Sequence, residues 1–345
     1  MKRVYGFSCY NVMLDADDSL PNNWIDNYLM PFFCAEPSKD HDGIADTPPT
    51  WRLHAVVTAN EIAHLRNQYA SYSSMGTIYS YPELATSFVE TENGYLVRQS
   101  DPDTKVPESW LFIRPSTAEV NLYIEPENPE SRYIVARVVR SIIIGQALAD
   151  GWALLHASCV SIDNIGLLTV GNKGAGKTAL MMALIKERQG KYVSNDKLLA
   201  KQISNNLVVQ GLPHSPAVKL DMLERYGLEN LRTDYVFQGT SSKRRFHVKE
   251  LCEALGTSVA SQTTIASILV PHFCINDNNG DAMLSPAQIE QLLEAVEIRS
   301  VCEFQPVWNH VFSINQDERN SWWKGVKTTQ FVYDNHSIAN IVREL

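Results

Sequence analysis

Residues 171–178, with the sequence Gly-Asn-Lys-Gly-Ala-Gly-Lys-Thr, constrain the fold of this chain more than any other feature. They match the phosphate-binding pattern G-x-x-x-x-G-K-[ST] in full, and a chance match in 345 residues is on the order of one per cent. The apolar residues 167–170 predict a strand before the loop, and residues 178–188 predict a helix after it. This order of strand, glycine-rich loop and helix predicts an α/β core built around a site for phosphates.

The residue types in this loop suit the binding of a nucleoside triphosphate. Glycines let the backbone curl so that its N–H groups point inward at phosphate oxygens, and the next helix adds the partial positive charge of its N-terminus. Lys177 is expected to reach the β- and γ-phosphates of ATP, and the Thr178 hydroxyl to bind Mg²⁺. The alternative is a glycine-rich turn with a solvated lysine. The predicted nucleotide-binding residues are Gly171, Asn172, Lys173, Gly174, Ala175, Gly176, Lys177, Thr178 and Ala179.

A magnesium ion needs a carboxylate besides the Thr178 hydroxyl, and Asp196 is the predicted one. Residues 192–199 predict a strand after the helix, and a strand beside the loop's own strand ends near the phosphates. A second apolar strand, residues 265–270, ends without an acid. We therefore expect Thr178 and Asp196 to hold the metal. The alternative is a turn aspartate beside a lysine.

Overall charge and composition exclude several other classes of protein. Asp and Glu number 39 against 30 Lys and Arg, a formal net charge of −9, whereas binders of nucleic acid or anionic membranes carry a basic surface. The six cysteines form no C-x-x-C pair, which is typical of reduced thiols in a cytoplasmic protein. The N-terminus has no signal-peptide pattern, and the longest apolar stretch, residues 141–148, is far shorter than the roughly 20 residues that span a bilayer. We expect a cytoplasmic protein with neither nucleic acid nor membrane as partner.

The pattern of apolar residues and turns divides the chain into three parts. Residues 1–125 carry short strand candidates and predict a β-rich accessory or substrate domain. Residues 126–320 predict the α/β domain that holds the loop, and residues 321–345 a closing segment with a strand and a short helix. The elements predicted in the second part are helices at 133–149, 178–188, 221–226, 248–255 and 286–298, and strands at 152–161, 166–170, 192–199, 207–210 and 265–270.

The arrangement around the loop resembles a known family. The sequence His156-Ala157-Ser158 on a predicted strand, the glycine loop one hairpin later, and an acid motif after the loop's helix resemble the HPr kinase/phosphorylase superfamily, whose relatives include phosphoenolpyruvate carboxykinase. The resemblance covers about residues 130–220 and is greatest to divergent HPr-kinase-like proteins of natural-product and peptide-modification gene clusters. It implies an α/β P-loop core of phosphoenolpyruvate-carboxykinase/HPr-kinase type, a β-rich (α+β) N-terminal domain and, by analogy with hexameric HPr kinases, a homo-oligomer.

The resemblance also assigns roles to three residues. In the family a pair of acids ends the strand; the second matches Asp196, and the first, the base that takes the substrate's hydroxyl proton, falls on Asn195, which cannot be a base. His156 matches the family's histidine near the catalytic acid; the alternative is a core histidine. Three options follow. Asp196 serves both metal and base, another residue such as His156 or His214 is the base, or the protein binds nucleotide without transferring phosphate.

Two further segments are candidates for the site. The sequence Lys243-Arg244-Arg245 follows a Gly-Thr-Ser-Ser stretch and is a candidate to neutralise charge on the transferred phosphate from a mobile loop; a solvated basic loop is the alternative. Residues 211–219 are a candidate lining of the acceptor pocket or an ordinary turn. The family's second signature, an acid followed by Arg-Gly, is absent from the sequence, which argues against HPr as the acceptor.

These features together predict an ATP-dependent, Mg²⁺-dependent kinase. Its acceptor would be a hydroxyl of a peptide or protein Ser/Thr, or of a small-molecule alcohol. The first alternative is a nucleotide-binding accessory or sensor protein without catalysis, supported by Asn195. A second is an NTPase that only hydrolyses, but the sequence has neither a D-x-x-G switch nor an ABC-type signature. A third is phosphorolysis of a phosphoprotein at the same site.

Overall fold

The computed structural model describes residues 2–20, 22–33, 50–75, 78–81, 86–101, 106–126, 131–233, 242–273, 283–298, 307–314, 321–333 and 337–344. It mixes helices with large β-sheets, as the α/β prediction requires. The chain falls into two compact units: Met1–Asp150 with Ser300–Gln316, and Gly151–Arg299 with Asp317–Leu345.

The helices and strands follow each other in this order. Up to residue 150 they are β1 (Lys2–Phe7), β2 (Tyr10–Ala16), α1 (Asn22–Leu29), β3 (Trp51–Val57), α2 (Ala59–Met75), β4 (Ile78–Tyr81), β5 (Thr86–Thr91), β6 (Gly94–Asp101), β7 (Val106–Arg114), β8 (Glu119–Ile124) and α3 (Ser131–Ala149). From residue 151 they are β9 (Ala153–His156), β10 (Ser158–Ile162), β11 (Ile165–Thr169), α4 (Lys177–Arg188), β12 (Lys191–Ser194), β13 (Lys197–Ile203), β14 (Asn206–Gly211), β15 (Ala217–Lys219), α5 (Leu220–Arg225), β16 (Lys243–Arg245), α6 (Val248–Leu255), β17 (Gln262–Phe273), α7 (Pro286–Ala295), β18 (Glu297–Ile298), α8 (Val307–Val311), β19 (Lys327–Tyr333) and α9 (Ile338–Glu344).

The first unit is built on one sheet. Within the described residues its strands run in the order β1-β2-β3-β8-β7-β6-β5-β4. Alternate residues of β2 and β8 are buried, because successive side chains of a strand point to opposite faces of the sheet. Helix α3 packs against β2 and β3, and α2 packs against β5, β7 and β8.

Helix α3 shows how the compact units differ from the predicted parts of the chain. The helical periodicity of residues 133–149 predicted this helix, and the structure confirms it. The predicted boundary lies at residue 125, whereas the units divide the chain at Asp150, because the buried side chains of α3 pack against β2, β3 and α1. The assignment of separate functions to parts of the chain stays a prediction.

The second unit holds the larger sheet. In the part of the chain that the structure describes, its strands run β12-β10-β11-β17-β14-β13-β9-β18, and β19 also pairs with β17. Strand β17 is parallel to both β11 and β19, so the carboxyl ends of all three strands point to the same edge. Helix α4 packs against β10, β11 and β12, and α9 packs against α4.

Two segments that were each predicted as one continuous strand form two separate strands in the structure. Residues 152–161 form two strands, β9 and β10, and residues 192–199 form β12 and β13. β9 pairs with β13, whereas β10 pairs with β12. The pairing between the two segments is therefore exchanged where each strand is interrupted, at Ala157 and at residues 195–196. The N–H of Ala157 donates to the carbonyl of Asp196 at this crossing, over 3.1 Å. The prediction that the Asp196 strand lies beside the loop's own strand was also wrong, since β10 separates β12 from β11.

The remaining predicted elements of this unit are present. Helix α7 has the predicted capping box of Ser285 and Gln288, and it ends at Ala295 because Glu297–Ile298 pair with β9. The predicted closing strand and helix are β19 and α9. Among the described residues, none of the helices combines the length and the apolar character needed to cross a membrane.

Candidate functional site

The glycine-rich loop joins the carboxyl end of β11 to the start of α4. Gly174 and Gly176 both have a φ of +91°, a backbone conformation that residues with a Cβ rarely adopt. The N–H of Ala175 donates to the Asn172 carbonyl over 3.1 Å, which closes a tight turn inside the loop. No side chain caps the start of α4. The loop therefore presents backbone N–H groups at a helix N-terminus, where an anion is favoured.

Lys177 is folded back over its own loop. Its Nζ donates to the carbonyl of Gly171 over 2.7 Å and to that of Asn172 over 3.4 Å. Burial lowers the pKa of Lys177, the charge of Asp196 opposes this effect, and the nearby Lys243 adds to it. The ammonium group thus sits over the loop and within electrostatic reach of Asp196.

Asp196 is held between two histidines. Its Oδ1 lies 3.1 Å from Nε2 of His156, and its Oδ2 lies 3.3 Å from Nε2 of His214. The three residues meet because His156 ends β9, Asp196 lies in the break between β12 and β13, and His214 follows β14. The sequence singled out His156 and Asp196, and His214 only as an alternative base. The side chain of His156 is 51% exposed, so it is not the core histidine of the alternative interpretation.

The environment of Asp196 keeps its carboxyl group ionised. Burial alone raises the pKa of Asp196, but the hydrogen bond from His156 and the charges of His214, His156 and Lys197 outweigh burial. The pKa consequently lies well below its usual range. Because an ionised carboxylate only accepts hydrogen bonds, Nε2 of each histidine donates to Asp196, and in the neutral form of His156 the free lone pair is on Nδ1.

Asn195, at the position where the resembling family has its first acid, lies beside this group. The residue is 8% exposed, and within the described part of the chain its Oδ1 has no hydrogen-bond partner. The Ser194 hydroxyl donates to the Lys197 carbonyl over 2.6 Å and closes the turn that holds residues 195 and 196. An amide at this position cannot accept a proton from a substrate.

The basic sequence at residues 243–245 is a strand, contrary to the predicted mobile loop. β16 pairs antiparallel with β15, and Arg244 donates to the carbonyls of Glu229, over 2.8 Å, and Leu231, over 3.2 Å. The guanidinium of Arg244 therefore holds a neighbouring turn. Arg245 is partly buried, and its predicted role toward phosphate stays a prediction. Part of the preceding Gly-Thr-Ser-Ser stretch, residues 239–241, lies outside the described residues.

The hydroxyl of Tyr333, which sequence reasoning missed, also contacts the loop. It donates to the carbonyl of Gly176 over 3.0 Å and to that of Ala175 over 3.4 Å. No motif marks this residue, because it comes from the last strand of the chain, beyond the matched pattern. The predicted closing strand was the only signal that pointed to this region.

Comparisons with known proteins give a distant likeness only. No protein-family model matches the chain, and no curated protein matches its sequence. Among solved structures, the HPr(Ser) kinase/phosphatase from Coxiella burnetii is similar over 56% of this chain and 92% of its own, with 18% sequence identity and a TM-score of 0.30. The relation is distant at most, and the chemistry of the site has to be derived from its own residues.

Proposed function

We propose that this chain is a divergent kinase of HPr-kinase type, which transfers the γ-phosphoryl group of ATP to a hydroxyl group. The acceptor would be a peptide or protein Ser/Thr, or a small-molecule alcohol. One observation carries the proposal: a glycine loop at a helix N-terminus, with its lysine in electrostatic reach of an aspartate that two histidines hold ionised.

The loop residues would bind the triphosphate. Phosphate oxygens would accept hydrogen bonds from the loop's N–H groups and draw Lys177 away from the Gly171 carbonyl, because a bond between two charged groups is stronger than one to a neutral carbonyl. Removal of water from the bound phosphates strengthens these interactions further.

The donor chemistry of Thr178 and Asp196 supports a magnesium ion in this proposal. In the described part of the chain, no group of three or more His, Cys, Asp or Glu side chains is arranged to hold a metal. Thr178 and Asp196 nevertheless offer the hard oxygen donors that Mg²⁺ prefers, and the rest of its coordination would come from phosphates and water. Each oxygen of Asp196 keeps a second lone pair beside its histidine contact. When bound, the ion would supply positive charge that neutralises the phosphates.

The proton of the acceptor hydroxyl would go to His156. Asp196 is a weak base because its pKa is depressed, and Asn195 cannot act as one. His156 is half-exposed, whereas the side chain of His214 is 23% exposed, so Nδ1 of His156 is the better placed nitrogen. As that proton moves to Nδ1, the hydroxyl oxygen bonds to the γ-phosphorus, and the bond from the γ-phosphorus to the β,γ-bridging oxygen breaks. ADP then leaves.

Asn195 favours a second candidate, a nucleotide-binding accessory protein that does not transfer phosphate. The two candidates differ in one measurable quantity. Both bind Mg·ATP, but only the kinase converts γ-labelled ATP to ADP while the label appears on a hydroxyl in an extract of the host.

Thermal unfolding with and without Mg·ATP tests the nucleotide site. Ligand at about 100 times its dissociation constant should stabilise the wild type by about 2.7 kcal/mol. Lys177→Ala should abolish the shift and Asp196→Ala should weaken it, whereas Lys191→Ala, which removes an exposed lysine at the start of β12, should not change it. The proposal is refuted if neither Mg·ATP nor Mg·GTP raises the unfolding temperature of the wild type.

A further inference from the structure

The contact between Tyr333 and the glycine loop is closely fitted. The Tyr333 side chain is 2% exposed, and its hydroxyl reaches Gly176 although 157 residues separate the two. A Cβ on Gly176 would lie 1.6 Å from the Tyr333 hydroxyl oxygen. The space left by the missing side chain of Gly176 is thus filled by the end of the tyrosine.

This contact bears on the orientation of two peptide groups, of which one, the carbonyl of Gly176, also accepts a hydrogen bond from the N–H of Leu180 over 2.9 Å. The described residues contain no cis peptide bond, and in a trans peptide the C=O and N–H groups point in opposite directions. The carbonyl of Ala175 shares a plane with the N–H of Gly176, and the carbonyl of Gly176 shares one with the N–H of Lys177. The Tyr333 hydroxyl shares its one proton between the two carbonyls, and the Leu180 N–H is a second donor to that of Gly176, so both N–H groups turn away from Tyr333.

We propose that Tyr333 is a positioning residue, which holds the N–H groups of Gly176 and Lys177 in the direction that receives nucleotide phosphates. This inference rests on the proposed function. The topology supports it, since Tyr333 is the last residue of β19, at the edge where the parallel strands β11, β17 and β19 end. Burial raises the pKa of Tyr333, so its hydroxyl remains a donor at neutral pH.

The test compares Tyr333→Phe with a matched control, Tyr5→Phe. Tyr5 is also a buried tyrosine, and its hydroxyl donates to Asp26 over 2.6 Å in the other compact unit. In Tyr333→Phe, the ring stays beside Gly176, with Cζ 2.8 Å from the Cβ position, but the hydroxyl and its hydrogen bonds to the two carbonyls are lost. We expect the Kd for Mg·ATP, measured by titration calorimetry, to rise about five- to tenfold in Tyr333→Phe and to stay at the wild-type value in Tyr5→Phe.

Hydrogen exchange gives a second readout with nucleotide bound. At the same fractional saturation with Mg·ATP, the amides of Gly176 and Lys177 should exchange about five times faster in Tyr333→Phe than in the wild type and in Tyr5→Phe. Either an unchanged Kd or an unchanged exchange rate in Tyr333→Phe overturns the positioning role, and so does an equal rise of Kd in Tyr5→Phe. In all of these cases the wild type still binds Mg·ATP and the proposed function stands. A wild type that binds no more Mg·ATP than Lys177→Ala overturns the proposed function and the positioning role together.

Discussion

Two alanine substitutions in the glycine loop separate backbone strain from side-chain contact. Gly174 and Gly176 have the same φ of +91°, but their surroundings differ. A Cβ on Gly174 would meet no atom within 4 Å, whereas a Cβ on Gly176 would meet the hydroxyl oxygen of Tyr333 at 1.6 Å and its Cζ at 2.8 Å. Gly174→Ala is therefore the matched control for Gly176→Ala.

The expected losses of stability follow from these contacts. An alanine in the left-handed conformation costs about 1–2 kcal/mol at either position. At Gly176 the buried Tyr333 ring must also move, which costs about 1–3 kcal/mol for overpacking and about 1 kcal/mol for its hydrogen bonds to the loop. We expect the free energy of unfolding to fall by about 4 kcal/mol in Gly176→Ala and by about 1.5 kcal/mol in Gly174→Ala. The effect of alanine on the unfolded chain is the same in both variants and cancels in the comparison.

Urea unfolding measures this difference. The informative transition is the one that Mg·ATP shifts in the wild type, because it belongs to the unit that holds the loop. The free energy of that transition should differ by about 2–3 kcal/mol between the two variants. Equal losses, or a larger loss in Gly174→Ala, would refute the close approach of Tyr333 to Gly176.

The remaining predictions concern Asp196 and Asn195. The folded-state pKa of Asp196 lies below that of a free aspartate, about 3.9, so between these two values the unfolded chain binds more protons and acidification favours unfolding. The free energy of unfolding should thus be larger for the wild type than for Asp196→Asn above about pH 4, and this difference should shrink as the pH falls further. A difference that grows in acid contradicts the ion-paired carboxylate. In Asn195→Asp, release of labelled phosphate from γ-labelled ATP to water should change less than about tenfold if His156 already accepts the proton. A gain of about 100-fold or more, the contribution typical of an added general base, would identify the wild type as the silent accessory protein.

The sequence predicted well those features that depend on neighbouring residues. Helix α3 and helix α4 follow from apolar residues at helical spacing, and the loop follows from its glycines and lysine. The capping box at Ser285 is likewise a local pattern. Each of these elements is determined by contacts a few residues apart, so a single sequence contains the information.

The strand crossing at Ala157 and at residues 195–196 could not be predicted in this way. Apolar residues lie on both sides of each break, because the strands on each side are buried in the same sheet. Periodicity reports that a residue is buried and does not report which strand it pairs with. The break became visible only when β9 was found beside β13 and β10 beside β12. The grouping of His156, Asp196 and His214 depends on this crossing, so their separation in the sequence gave no measure of their distance in space.

Gly176 is a residue at which the local sequence pattern and the packing of distant residues both constrain the structure. The motif alone explains a glycine at this position by the close approach of phosphates to the backbone. The structure adds a second reason on the other side of the same residue, since Tyr333 occupies the space that a Cβ would need. A residue packed against a buried tyrosine turns its peptide groups less freely, so the contact that the missing side chain of residue 176 permits makes the loop stiffer. Glycine is usually a source of backbone freedom; here the tyrosine that takes the place of its side chain removes that freedom and orients the N–H groups that the proposed nucleotide site needs.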